Sequence, residues 1–188
     1  MATPARIEKD SLGEYPVPAE AWYGIQTARA TALKAGRAPD AAVAAATRSM
    51  AQLNRIPSVI AVRNGVRAAT DITGFGLAGH ALGIARQSGI TLEIRAADLP
   101  LLPAALDLAA TNQPRGLKAN RLQFGSQVRF DTAAMDAALQ ALIFDPQTSG
   151  GLLLLVPEAK RDAVLSELPH ARAIGVARAA GEHPIVVL

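Results

Sequence analysis

The chain has 188 residues, half of them apolar and 4% aromatic, with a formal net charge of +3. That length fits one domain with a full core and a short appendage. No run of four basic residues occurs, so the concentrated basic patch and stacking aromatics of a nucleic-acid surface are missing. Cysteine is absent, which removes disulfides, thiolate metal ligands and a cysteine nucleophile and accords with a reducing compartment. No apolar h-region follows the first basic residue and no run of about 18 apolar residues exists. The expectation is a soluble, cytoplasmic protein that binds neither nucleic acid nor membrane.

Residues 1–30 differ from the rest. Glu8, Asp10, Glu14 and Glu20 mix with Pro16, Pro18, Tyr15, Trp22 and Tyr23. Pro16 and Pro18 exclude a helix across Glu14 to Val17, and a short helix is expected from Ala19. Pro39 and Asp40 open the next helix, whose apolar stripe is Val43, Ala46, Met50 and Leu53. Pro57 interrupts or restarts it. Asn64-Gly65 marks a turn, and Val66 to Ile72 reads as a short strand. Leu77, Ala81, Ile84 and Ala85 form the buried side of a helix that ends at Ser88-Gly89. Ile90, Leu92 and Ile94 alternate with polar residues, as in a half-buried strand.

Pro103 begins a helix through Ala110. Residues 111–127, with Pro114, Gly116 and Gly125, read as a long irregular link. Val128 and Phe130 suggest a brief edge strand, and Thr132 to Ile143 a third helical pattern. Leu152 to Val156 is apolar throughout, as in a central strand. A helix from Pro157 to about Leu168 and two strands, Ala173 to Ala177 and Pro184 to Val187, complete the chain. There is no internal repeat or heptad.

Two glycine-rich loops stand out. Asp71-Ile-Thr-Gly-Phe-Gly-Leu-Ala-Gly-His80 runs from the short strand into a helix, where exposed N–H groups favour an anion. Gly74, Gly76 and Gly79 fit the dinucleotide spacing, but no strong preceding strand or βαβ repeat surrounds them. A packing turn and a phosphate-facing loop remain the two readings. Asp145-Pro-Gln-Thr-Ser-Gly-Gly151 precedes the apolar strand. Both loops could meet one phosphate-bearing ligand through backbone N–H groups and the Thr73, Thr148 and Ser149 hydroxyls. Asp71 and Asp145 could approach a magnesium ion or cap their own turns, the second being the better account of Asp145.

No Gly-Lys-Ser or Gly-Lys-Thr phosphate loop occurs, and the three histidines, His80, His170 and His183, have no metal-site spacing. His80 reads as an ordinary packed or surface histidine. No catalytic residue and no metal ligand set is identified.

From Thr31 to Leu188 the chain resembles the C-terminal domain of selenophosphate synthetase (selenide, water dikinase), within the group that includes aminoimidazole ribonucleotide synthetase. The likeness lies at Gly65-Val66, Thr70 through Leu77, Gly79-His80, Leu99 through Pro103, Val128 through Asp131, and Phe144 through Leu152. One departure is that Gly116 is followed by Leu117-Lys118-Ala119 before Asn120, where the family has paired glycines. Residues 5–30 resemble the extreme N-terminus of the aspartase/fumarase superfamily, from Arg6 through Glu14, Val17 through Ala19, and Tyr23 through Thr27.

The first resemblance implies an α+β, two-layer fold, a mixed sheet packed with helices. The family makes selenophosphate from selenide, ATP and water with magnesium, and its nucleophile and most metal-binding aspartates lie in an N-terminal domain with no counterpart in these 188 residues. ATP and magnesium are therefore implied by the family alone. By the same resemblance Asp71, Thr73, Gly74, Gly76, Thr148, Ser149, Gly150 and Gly151 lie toward the cleft that faces the nucleotide-binding domain. The division expected is a lyase-like segment, 1–30, that is no independent domain, and a domain at 31–188. The function expected is a noncatalytic remnant or scaffold; the alternatives are completion of a synthetase in trans and a stand-alone phosphate or nucleotide binder. A homodimer is expected, through a bared apolar face and anchoring by Trp22, Tyr23 and Ile25.

Overall fold

The computed structural model describes residues 5–10, 13–18, 39–111, 113–131 and 135–188. Strand β1 (Ala5–Asp10) pairs antiparallel with β2 (Gly13–Pro18), Asp10 standing opposite Gly13. Pro16 and Pro18 thus sit in a strand that pairs on one side only among the described residues, where a missing N–H is tolerated. The helix expected from Ala19, and Trp22, Tyr23 and Ile25, lie outside the described residues.

Helix α1 (Asp40–Ala51) follows Pro39, whose carbonyl accepts from Ala42 and Val43 N–H at 2.8 and 3.1 Å. Helix α2 (Arg55–Arg63) carries Pro57 in its first turn, where an N–H has no helical partner to lose. The proline therefore restarts the helix. Strand β3 (Ala68–Asp71) leads into α3 (Gly76–Ser88), which Gly89 closes in the left-handed conformation at φ 61°. Then come β4 (Ile90–Ile94), α4 (Ala105–Thr111), α5 (Arg115–Phe124), β5 (Val128–Phe130) and α6 (Ala137–Leu142). Strand β6 (Leu152–Leu155), α7 (Arg161–Glu167), β7 (Gly175–Ala179) and β8 (Ile185–Val187) finish the chain.

The main sheet has the order β5-β8-β4-β7, with β8 parallel to β4 and β5, and β7 antiparallel to β4. A second ladder pairs β3 antiparallel with β6. The fold is α+β with mixed strand pairing, and β5 is the edge strand expected. Helix α3 packs against β3, β4, β8 and α5. Its Ala78, Ala81, Leu82 and Ala85 share one face and join Leu92, Ile94, Phe144, Ile185 and Val187 in the core. Three alanines let the helix approach closely, and Leu82 and Phe144 are among the largest fully buried side chains.

Four expectations need correction. Residues 111–127 are mostly helix, because Leu117, Asn120 and Phe124 recur at three and four residues and turn one side inward, while Pro114 supplies the residue before the first turn. Strand β6 is not central among the described residues; it pairs with β3, and its four leucines are all half-buried. In β4 the alternation fails at Thr91, which is buried because its hydroxyl donates to His183 O at 2.9 Å and accepts from Gly181 N–H at 2.9 Å. Leu53 does not complete the α1 stripe, since the helix ends at Ala51 and Leu53 is 77% exposed.

Two boundaries also shift. Helix α4 begins at Ala105 after Ala104 turns at φ 60°, and α6 is described only from Ala137, with Asp136 capping it by accepting from Ala138 N–H at 2.7 Å.

The packing predicts that Leu82→Ala costs about 2–5 kcal/mol. Leu122→Ala, at a residue 89% exposed, should change stability by no more than about 0.5 kcal/mol. Urea unfolding of the two variants checks the contrast.

Candidate functional site

Pairing of β3 with β6 places the end of one strand opposite the start of the other, Asp71 against Leu152. The loop after β3 and the loop before β6 therefore meet at the same end of the ladder. Backbone bonds join them: Ile72 N–H donates to Gly151 O at 2.9 Å, and Gln147 N–H to Thr73 O at 3.0 Å. Further along, Ala78 N–H donates to Ile143 O at 2.9 Å.

One side chain completes the junction. Asn120, 5% exposed on α5, donates through Nδ2 to Gly74 O at 2.9 Å and to Phe144 O at 3.0 Å. Its two amide hydrogens thus satisfy one carbonyl in each segment. Asn54 Nδ2 donates to Gly150 O at 3.0 Å and ties the second loop to the start of α2.

The glycines divide into two kinds. Gly76 has φ 67°, and a Cβ there would stand 2.8 Å from Phe144 C and 2.9 Å from Asp145 O. A Cβ at Gly150 would overlap the carbonyl oxygen of Ile72. At these two positions packing of loop on loop requires glycine. Gly79 serves the aromatics instead, since a Cβ would strike Phe75 and Phe124, whose rings meet edge-on at 5.7 Å. Around Gly74 and Gly151 nothing lies within 4 Å of an added Cβ. Those two have open space where a side chain would stand, although their carbonyls accept from Asn120 and Ile72.

Gly74, Asp145, Thr148, Ser149, Gly150 and Gly151 line a cleft of about 1980 Å³, much larger than a typical small-molecule pocket of about 300–1,000 Å³. Its other walls come from α1, α2, β6, α7 and β7. Ser149 is exposed and holds φ 54°, a conformation a side chain seldom adopts. The cleft therefore gathers Gly74, Thr148, Ser149, Gly150 and Gly151 from the sequence-derived set, and leaves out Asp71, Thr73 and Gly76. Asp71 is exposed at the end of β3, and Gly76 is buried under the second loop.

Thr73 is engaged elsewhere. Its hydroxyl lies 3.1 Å from His80 Nε2, while His80 Nδ1 lies 3.4 Å from the Thr70 hydroxyl. Thr70 donates its proton to Asp71 O at 3.0 Å, so a neutral ring carries its proton on Nδ1 and Thr73 O–H donates to Nε2. The ring also lies 5.6 Å from that of Phe75. His80 is thus a packed histidine that orients a loop hydroxyl, and nothing in its flanking residues alone revealed the second threonine.

Among the described residues no group of three His, Asp or Glu side chains could hold a metal ion, and no helix is long and apolar enough to cross a membrane. Among the residues lining the cleft, the Arg161 guanidinium is held above its usual range by its hydrogen bond to Asp162, helped by the Glu158 carboxylate.

The sequence pattern described as AIR synthase related protein, C-terminal domain, matches residues 24–187. The chain belongs to that family. Curated proteins similar to it are named selenide, water dikinase. The protein from Paraburkholderia xenovorans is 40% identical over 136 residues, 72% of this chain and 38% of its own length. That from Clostridium botulinum is 35% identical over 162 residues, 84% of this chain and 47% of its own. The chain thus spans less than half the length of the relatives it matches. Among solved structures, hydrogenase maturation protein HypE aligns over 70% of this chain and 35% of its own at 21% identity, TM-score 0.44. Thiamine monophosphate kinase from Aquifex aeolicus aligns over 71% and 35% at 21% identity, TM-score 0.41.

Removing Asn120 leaves two carbonyls without their donor. Asn120→Ala should cost about 2–4 kcal/mol, which lowers Tm by roughly 5–15 °C in a chain this long. Calorimetry checks it. The two kinds of glycine predict a second contrast: Gly150→Ala should destabilise by more than about 3 kcal/mol, whereas Gly74→Ala should stay within about 1 kcal/mol of the parent.

Proposed function

We propose that this domain is a noncatalytic scaffold half of a selenide, water dikinase assembly. It presents the wall that holds the phosphate end of a nucleotide, and the groups that transfer phosphate come from an N-terminal domain of the kind the longer relatives carry. The observation that carries this reading is the Asn120 tie: two distant loops are fixed together at a buried side chain while Gly74 and Gly151 line the cleft with free space where side chains would stand. Such a surface binds and orients.

The residues suit the phosphate half of ATP better than its metal. Glycine backbone at 74 and 151, with the Thr148 and Ser149 hydroxyls, offers neutral hydrogen-bonding groups to an anion. ATP when bound would supply the phosphoryl group, and this reading takes magnesium ligands from the other domain. Phosphoryl transfer depends on positioning and on electrostatic stabilisation in a site closed to water. A cleft of about 1980 Å³ open on one side gives the first without the second.

Mixing tests the proposal. The purified chain should consume no ATP with selenide and magnesium, whereas addition of the N-terminal half of the Paraburkholderia relative should produce turnover. Gly151→Leu, at a position with free space, should lower that turnover at least about tenfold while leaving the melting temperature near the parent's. Turnover by the chain alone would overturn the proposal. Saturable ATP binding in calorimetry, with no effect of the added half, would favour the stand-alone binder.

A further inference from the structure

The cleft carries more positive charge than its carboxylates use. Glu93 pairs with Arg178 at 2.9 Å, Glu158 with Arg161 at 2.7 Å, and Glu167 with Arg63. Asp145 has an interaction of its own. Among the described residues this leaves two arginines on the cleft wall without an ion pair, Arg55 and Arg172. They differ in what they touch. Arg172 donates through Nη1 to Ala171 O at 3.1 Å, on the stretch between α7 and β7. The Arg55 guanidinium is exposed and makes no hydrogen bond or ion pair among the described residues, and the first turn of its helix holds no acidic residue. Its neighbour fixes its place. Asn54 Nδ2 donates to Gly150 O at 3.0 Å, so the chain enters α2 against the second glycine loop. Arg55 follows directly, with its N–H donors unused on the wall that Ser149, Gly150 and Gly151 share.

Resting on the reading of this cleft as a phosphate wall, we propose that Arg55 is the cation of the site and holds a polyphosphate chain whose other side lies on residues 148–151. The loop supplies N–H and O–H dipoles, which place an anion and carry no net charge to balance it. The guanidinium supplies that charge, and its planar fork fits two oxygens of one phosphoryl group at once. The rest of the cleft agrees. Its other carboxylates and cations are paired or engaged, apart from Arg172 on another wall. A simple carboxylate would fill the fork and leave the loop donors unused, whereas a chain of phosphoryl groups offers oxygens to both. The ligand is therefore recognised by its phosphate chain, inorganic or part of a nucleotide. Water around an exposed guanidinium screens the pair, so the single domain binds such a chain weakly, in the millimolar range.

Nuclear magnetic resonance of the isotope-labelled chain tests this. Sodium tripolyphosphate added to about 10 mM should move the Ser149, Gly150 and Gly151 amide signals and the Arg55 Nε–H signal along one saturation curve. ATP moving the same signals assigns the site to a nucleotide's chain; tripolyphosphate alone doing so assigns it to an inorganic one. Arg55→Gln should weaken tripolyphosphate binding at least about tenfold, through loss of a charge-assisted fork. Its melting temperature should stay near the parent's, because the side chain is exposed and unpaired. Arg55→Lys, which keeps the charge without the fork, should fall between the two, and Arg172→Gln should stay within about twofold of the parent. An Arg55→Gln chain that binds as tightly as the parent, its loop signals still moving, would overturn the assignment of Arg55 and leave the phosphate wall standing. An equal loss in Arg172→Gln would overturn it as well. Sulfate binding as tightly as tripolyphosphate would mean an adventitious ion only and would end the proposal. Loop signals unmoved by any phosphate would also end it, and turnover on mixing with the N-terminal half would then show that the wider reading survives.

Discussion

The carboxamide of Asn120 has two hydrogens and sits where water cannot reach it, so each hydrogen needs an acceptor inside the protein. The acceptors are the carbonyls of Gly74 and Phe144, which lie 70 positions apart in the sequence. The Phe144 carbonyl is buried and needs a donor, while that of Gly74 belongs to an exposed residue at the cleft. No other residue type of that size brings two N–H donors on one planar atom; aspartate brings none at neutral pH and leucine none at any pH. The relation between the two loops rests on this group together with the Ile72–Gly151 and Gln147–Thr73 backbone bonds.

Steric conditions make the junction possible. The loops approach until the Gly150 backbone lies against Ile72 O and Gly76 against the backbone from Ile143 to Asp145, distances that any side chain would prevent. Gly116 helps from the other side, since a Cβ there would stand 2.9 Å from Pro146 Cγ. Close packing and open space at the cleft are consequently properties of different glycines in the same loops. The choice between a packing turn and a phosphate-facing loop was never a choice between whole motifs.

Local signals made much of this legible. Apolar spacing located α3, Ser88-Gly89 located its end, and the position of the glycine runs beside the Val66–Ile72 and Leu152–Val156 segments located the loops. What spacing cannot carry is pairing. Nothing in Leu152 to Val156 says that β3 will be its one neighbour among the described residues, and an apolar run on two faces reads as central wherever it lies. Helix α5 was hidden for a related reason: it is polar on most of its surface, and its inward side is marked by Leu117, Asn120 and Phe124, of which one is an amide. The residue that joins the loops was thus read as part of an irregular link. Thr73 shows the same limit, since the spacing of a hydroxyl in a glycine loop does not reveal the histidine seven residues on that lies beside it.

That partner has a consequence for what the wall can do. With Thr73 O–H donated to His80 Nε2, the first loop turns its hydroxyl toward α3, and the donors left for an anion are backbone N–H groups at the open glycines and the hydroxyls of the second loop. Neutral donors of this kind fix where a phosphate lies, yet they add little stabilisation while water fills the space around them, because solvent screens each interaction. Their worth rises once another surface closes the cleft and lowers the local dielectric. Under the proposed reading, the same groups would then act on the charge that develops during transfer. In this domain geometry comes first, and electrostatic strength depends on what covers it.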